Sequence, residues 1–151
     1  FRQTLESTGL GYQHEIDMLR MARDLDMLTI GYAFNEKDTE QLLEAATPDI
    51  FIFHAGITQG GTTGYTEGRS LEEMAIRSQA HYEIAKQICP DAIRLAHGAA
   101  LVSPEDAQYM LDRTDCHGVQ LGSSIERIAI ESPLEERAAS FKAVCFSANA
   151  K

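Results

Sequence analysis

Two histidines stand where chemistry is easiest to build. His54 closes the apolar run Ile50-Phe51-Ile52-Phe53, and His97 closes Ile93-Arg94-Leu95-Ala96. An imidazole titrates near neutral pH, so it can move a proton, and in its neutral form it can hold a metal. If both runs are parallel strands, the two rings occupy the same depth at one end of a sheet. His14, His81 and His117 fall on helix or loop positions, where a solvated or structural role is expected.

Two further stretches could bind an anion. The first is Gly56-Ile57-Thr58-Gln59-Gly60-Gly61-Thr62-Thr63-Gly64. Its glycines let backbone N–H groups approach a ligand closely, and its threonines add hydroxyl donors. No Gly-Lys-Ser/Thr follows, so this is not a P-loop; a turn-rich lid is the competing use. The second is Gly122-Ser123-Ser124, just ahead of Ile125-Glu126-Arg127. Amides at the start of a helical turn bind phosphate or carboxylate, although the same residues also suit a simple cap. HExxH and GxSxG are absent, and no paired carboxylates sit at strand ends. Zinc peptidase and α/β-hydrolase chemistry are therefore unsupported.

The elements that must carry these residues alternate. Tyr12, Ile16, Leu19, Ala22 and Leu25 predict a helix from Gly11 to about Asp26. Met18, Met21 and Met27 fit that helix and its junction, where core packing is expected. An apolar strand follows over Leu28 to Phe34. Asn35 reads as the N-cap of the next helix, with Glu36 and Asp38 in its first turn. The run Ile50 to Phe53 is continuous rather than alternating, which suits a strand buried on both faces. Ser70 and Glu73 form a capping box for a helix reaching about Cys89. Ile93 to Ala96 is the third strand, Ser103-Pro104-Glu105 opens the next helix, Gly118 to Leu121 is the fourth strand, and Ser132-Pro133 starts a last helix.

Such alternation predicts an α/β fold of parallel strands joined by right-handed crossovers. A small open doubly wound sheet and half of a (β/α)8 barrel both fit. The clusters His54-Ala55-Gly56, His97-Gly98-Ala99 and Gly122-Ser123-Ser124 favour the half-barrel, because a barrel gathers its working groups at every strand's C-terminal end, whereas an open sheet uses one switch point.

Composition narrows the partners. The chain has 151 residues, with 13 Lys and Arg against 23 Asp and Glu, giving a net charge of −10. No cationic cluster interrupts that balance, which disfavours nucleic acid and anionic membranes. A phosphorylated ligand is not excluded, since charges beyond roughly 8 Å are screened. Cys89, Cys116 and Cys145 form no CxxC pair, and neither a signal peptide nor a membrane span is visible. A reducing, cytoplasmic setting is expected.

The segments Glu6-Ser7-Thr8-Gly9-Leu10-Gly11-Tyr12, Phe53-His54-Ala55-Gly56-Ile57-Thr58, Ala96-His97-Gly98, Pro104-Glu105-Asp106-Ala107-Gln108-Tyr109 and Gly122-Ser123-Ser124-Ile125-Glu126-Arg127 occur in this order. Together they resemble the phosphoenolpyruvate hydrolase-like family of TIM-barrel proteins, also called TIM-barrel signal-transduction proteins, from about Phe1 to Ala143. The resemblance implies that residues 1–151 form one partial domain, the C-terminal half of a TIM (β/α)8 barrel with its front strands missing. It implies an enzyme acting on a small phosphorylated or carboxylated compound by hydrolytic or lyase chemistry, with Mg²⁺ or another divalent metal as cofactor. A non-catalytic ligand-binding or regulatory barrel is the alternative.

Carried onto this sequence, the resemblance makes His54 and His97 the catalytic candidates. Asn35, Gly56, Gly60, Gly61, Gly98, Gly122, Ser123 and Ser124 become positions for a small anionic ligand, with Thr62 from the same glycine-rich loop. One departure is Gly98-Ala99-Ala100, where the family has two glycines after the histidine. The Ala99 methyl is expected to obstruct backbone approach to a phosphate. A half-barrel also leaves unpaired strand edges, so a homo-oligomer or the missing barrel half is the expected partner.

Overall fold

Apolar runs and amphipathic stretches take up their structures in turn in the computed structural model, which describes residues 2–59, 68, 70–124, 126, 133–136 and 139. Helices α1 (Arg2–Ser7) and α2 (Gln13–Asp24) lead into strand β1 (Ile30–Ala33). Then follow α3 (Glu36–Ala45), β2 (Ile50–His54), α4 (Leu71–Ile88), β3 (Ile93–His97), α5 (Pro104–Arg113) and β4 (Gly118–Val119). The short α1 was not signalled by apolar periodicity; the others fall where expected. Residues 133–136 are helical, as Ser132-Pro133 predicts. The remainder of that expected helix lies outside the described residues.

Helix starts are fixed by side chains the sequence exposes to view. Asn35 is extended, and its side chain accepts from the Asp38 amide at 2.9 Å. Ser70 and Glu73 cap α4 reciprocally, and Ser103 and Asp106 do the same for α5, with Pro104 at its first position. Such caps are worth about 1 kcal/mol each.

The four strands are parallel and ordered β1-β2-β3-β4. Among the described strands the order does not reverse, so they hold no switch point of the doubly wound kind. Neighbouring helices α2 and α3, α3 and α4, and α4 and α5 pack on one another, which lines them up on one side of the sheet. Sequential parallel strands with helices on one face are half of a (β/α)8 barrel.

Strand β2 shows how the two faces divide. Phe51 and Phe53 point into the helical layer, where Tyr82 meets Phe51 edge-on at 6.4 Å and His81 stacks on Phe53 at 3.8 Å. Their register partners Gly31, Ala33, Arg94 and Ala96 share that side. Gly31 brings β1 directly against α3: a Cβ there would stand 2.8 Å from Leu42 Cδ2. Arg94 is buried, and its guanidinium is satisfied by carbonyls, including those of Asp115 at 3.1 Å and Ala92 at 3.2 Å.

The opposite face is the one a closed barrel would enclose. It carries Ile30, Ile50 and Ile93 in register, then Tyr32, Ile52 and Leu95, then His54 and His97. Ile30 is 43% exposed and Ile93 46%. The three methionines expected in the core are exposed as well: Met18 63%, Met21 66% and Met27 57%. The reason is positional. α2 buries Ile16 but flanks β1, whose outer edge has no paired strand among the described residues. Met18 borders the open face beside Ile30 and Tyr32. Among the described residues, no helix is long and apolar enough to cross a membrane.

The Gly31–Leu42 contact can be measured. Leu42→Ala is expected to cost about 2–5 kcal/mol of stability, and Gly31→Ala about 1–3 kcal/mol. In the double variant the new methyl enters space the leucine vacated, so the combined cost falls below the sum. Denaturant unfolding of the four proteins checks this; strictly additive costs would mean that β1 and α3 do not meet there.

Candidate functional site

Parallel pairing sets His54 directly beside His97. Their ring centroids lie 5.1 Å apart at an interplanar angle of 69°. Tyr32 meets His97 edge-on at 5.7 Å, and Phe34 lies against His54 at 5.4 Å. The four rings form one cluster on the open face at the C-terminal ends of β1, β2 and β3. Tyr12 supports it from α2's start by donating its hydroxyl to the Tyr32 carbonyl.

His97 has a defined tautomer. Its Nδ1 lies 3.0 Å from the Gln120 carbonyl oxygen. A carbonyl only accepts, so Nδ1 carries a proton, and in the neutral ring the lone pair is on Nε2. Gln120 is itself held by its amide donating to the Ala96 carbonyl at 2.9 Å. The Gln120 side-chain Oε1 is buried with no partner. Burial, then the neighbouring His97, lowers the pKa of His54 below its ordinary value, because both disfavour the cation. Burial raises the Tyr32 phenol. At neutral pH the cluster thus presents a neutral His54 and a protonated Tyr32.

The loops behind the histidines are clasped together. The Ala99 amide donates to the Gly56 carbonyl at 2.9 Å, the Gln59 amide to the Ala99 carbonyl at 2.9 Å, and the Ala55 amide to the His97 carbonyl at 3.4 Å. Gly98 has φ +85°, and a Cβ there would lie 2.4 Å from the Gly56 oxygen. This position therefore requires glycine for conformation and for space. Ala99 adopts φ 46° and is buried, its methyl 3.6 Å from where a Gly56 Cβ would stand. That methyl packs within the clasp.

The sequence candidates are distributed as follows. His54, Gly56, His97 and Gly98 come together. Gly122, Ser123 and Ser124 follow β4 at the same end; Ser123 and Ser124 are helical and half-buried, and the Glu126 amide donates to the Gly122 carbonyl at 3.0 Å. Asn35 lies at that end too, but its side chain is occupied by the α3 cap. Gly60, Gly61 and Thr62 lie outside the described residues. Tyr32, Phe34 and Gln120 were not singled out in the sequence. Their signal was register: Tyr32 alternates with buried Gly31 and Ala33, and Gln120 continues β4 to the level of His97.

A cleft of about 420 Å³ beside the rings is lined by Glu15, Met18, Leu19, Ile30, Tyr32, Phe34 and His54. None of these is cationic. Among the described residues no group of three or more His, Cys, Asp or Glu converges. Mg²⁺ prefers an octahedron of oxygens, whereas His54 and His97 offer only nitrogens. These residues do not fit Mg²⁺, and no step is derived through it. Cys89 and Cys116 are free thiols away from the ring cluster.

A barrel segment with histidines and glycine loops at its strand ends defines the class; the comparisons define the family. The family model described as phosphoenolpyruvate hydrolase-like matches residues 1–144, and the chain belongs to that family. It is 39% identical over 145 residues to the ToMV resistance protein Tm-1(GCR237) of Solanum lycopersicum, covering 95% of this chain and 19% of that protein. The ToMV susceptible protein tm-1(GCR26) of the same plant matches with the same identity and coverage. A putative transcriptional regulatory protein y4pA of Sinorhizobium fredii is 30% identical over 144 residues, covering 95% of this chain and 24% of the relative. The chain therefore spans only a fifth to a quarter of the length of these relatives.

Two measurements follow from the geometry. Burial lowers the pKa of both His54 and His81 below 6.5. Between that value and each lowered pKa the unfolded chain binds more protons than the fold, so stability falls as pH drops below about 6.5 and levels off beyond the folded pKa. Urea midpoints from pH 8 to pH 5 should decline, and His54→Gln should flatten the slope; a rise toward pH 5 would contradict the neutral imidazoles. Gly98→Ala should cost about 1–3 kcal/mol or more, through strain and contact with the Gly56 carbonyl. An unchanged thermal midpoint would rule out the clasp.

Proposed function

We propose that this chain forms the histidine-bearing end of a barrel site for a small carboxylated or phosphorylated compound. In this reading His97 moves a proton through Nε2 while His54 stays neutral beside it. The observation that carries it is the His97–Gln120 hydrogen bond of 3.0 Å, which fixes the tautomer and leaves a basic nitrogen on the open face. The turn at Gly122, Ser123 and Ser124 would supply amide and hydroxyl donors to the anionic group, and the loop with Gly60, Gly61 and Thr62 would close over it. Hydrolytic or lyase chemistry would then develop enolate-like charge next to these donors. A divalent cation would need oxygen ligands from beyond the described residues.

A second reading is a ligand-binding or regulatory barrel without turnover. The absence of cationic side chains from the cleft lining favours it. The names of the relatives, a resistance protein and a putative transcriptional regulatory protein, point the same way. In either reading the exposed isoleucines of the open face are covered in the working protein, by a second copy of the chain or by further barrel strands. A reducing, cytoplasmic setting suits the free thiols.

The intact protein supplied with phosphoenolpyruvate and Mg²⁺ separates the readings. Catalysis predicts product formation that falls about 100-fold or more in His97→Ala and clearly in His54→Ala. Equal rates in all three proteins would remove both histidines from the mechanism. Saturable binding without product would establish the regulatory reading.

A further inference from the structure

His81 is a buried titratable group that the open-face site does not use. It lies on α4, only 5% exposed, stacked on Phe53. Phe53 and His54 are consecutive residues of a strand, so His81 and the histidine pair stand on opposite sides of the sheet. The Thr39 hydroxyl donates to the Asn35 carbonyl at 2.9 Å and lies 2.8 Å from His81 Nδ1. A hydroxyl has one proton, already committed to that carbonyl. With the hydroxyl proton on that carbonyl, His81 Nδ1 is the donor to Thr39, and Nε2 of the neutral ring holds the lone pair with no hydrogen-bond partner among the described residues.

His81 borders a cleft of about 400 Å³ between the start of α3 and the second and third turns of α4. Its lining is completed by Asn35, Glu36, Lys37, Arg77 and Ala80. Arg77 is anchored with its guanidinium 5.1 Å above the Phe53 ring and 3.5 Å from the Ala55 carbonyl. Lys37 is exposed and has no ion pair among the described residues. The Asn35 side chain takes the Asp38 amide, which leaves the first amides of the ten-residue α3 facing outward, as a helix start dictates. Two carboxylates share that first turn: Glu36, exposed in the cleft lining and screened, and Asp38, buried with its Oδ2 accepting from the Asn35 side chain.

We propose that this outer cleft is a second ligand site, specific for a phosphate-type anion that retains an O–H. Its charged oxygens take hydrogen bonds from Arg77, Lys37 and the first turn of α3. Its remaining hydroxyl donates to His81 Nε2. This acceptor sets the specificity, because a fully deprotonated anion would bring lone pairs against a lone pair.

Inorganic phosphate and sulfate test this directly. At pH 7 phosphate carries at least one proton and sulfate none. Calorimetric titration of the intact protein should show phosphate binding about tenfold or more tighter than sulfate, the worth of one charge-assisted hydrogen bond. His81→Phe keeps the stack on Phe53 but removes the acceptor, and should level the two anions; Lys37→Ala should weaken both. In the unaltered protein, the ¹⁵N resonance of His81 Nε2 should move with phosphate and not with sulfate. Equal affinities, a preference that survives His81→Phe, or an unmoved His81 resonance would overturn the proposal. So would loss of phosphate binding in His97→Ala, which would place the anion on the open face instead.

Discussion

The in-register parallel pairing of β2 with β3 is the constraint on which the rest depends. It puts His54 level with His97 and both on the open face. A slip of one residue would exchange the faces of a strand, sending Phe51 and Phe53 out of the helical layer. Those two rings are fully buried against Tyr82 and His81 of α4. Burying a phenylalanine side chain is worth about 1.5–3 kcal/mol, so a slipped register is disfavoured by several such units. The geometry of the histidine pair is thus enforced from the other side of the sheet, by residues that do not face the pair.

A second constraint operates beyond the strand ends. The Gly56–Ala99 and Gln59–Ala99 hydrogen bonds continue the β2–β3 pairing into the loops. Gly98 permits it because no side chain could stand against the Gly56 carbonyl. His97 is thereby held through its own backbone, through the clasp that follows it, and through its ring bond to Gln120. That ring bond depends in turn on β4, which is short but extended by the amides of His117 and Gln120 donating to Arg94 and Ala96. One catalytic candidate is positioned by three separate segments, while His54 is oriented by packing against Phe34 and His97 and by its own backbone.

Much of this was legible in the sequence because it is local. The caps at Asn35, Ser70 and Ser103, the continuous run Ile50 to Phe53 and the alternation of elements all act over a few residues. Strand-end histidines were legible for the same reason. What escaped depends on pairing between distant segments. Gln120 matters because its carbonyl meets a ring from residue 97, and Tyr32 because β1 lies beside β2. The glycines were legible as unusual but not as to use: Gly56 and Gly98 serve a loop clasp. The methionines misled because an apolar stripe reads the same whether its partner is a helix in this chain or an uncovered edge.

Charge distribution separates the two faces more sharply than shape does. The net charge of −10 says little about either, since screening confines each site to its own neighbours. On the open face the neighbours are apolar, with Glu15 at the margin and no cation in the cleft. There an anion must be held by neutral donors, and a neutral imidazole is suited to proton movement rather than charge pairing. On the outer face Arg77 and Lys37 flank the cleft, and the imidazole is tied to Thr39 through Nδ1. One alternation of the strand thus sets the same residue type in two different surroundings: Phe53 stacks on His81 in the helical layer, and His54 pairs with His97 on the open face.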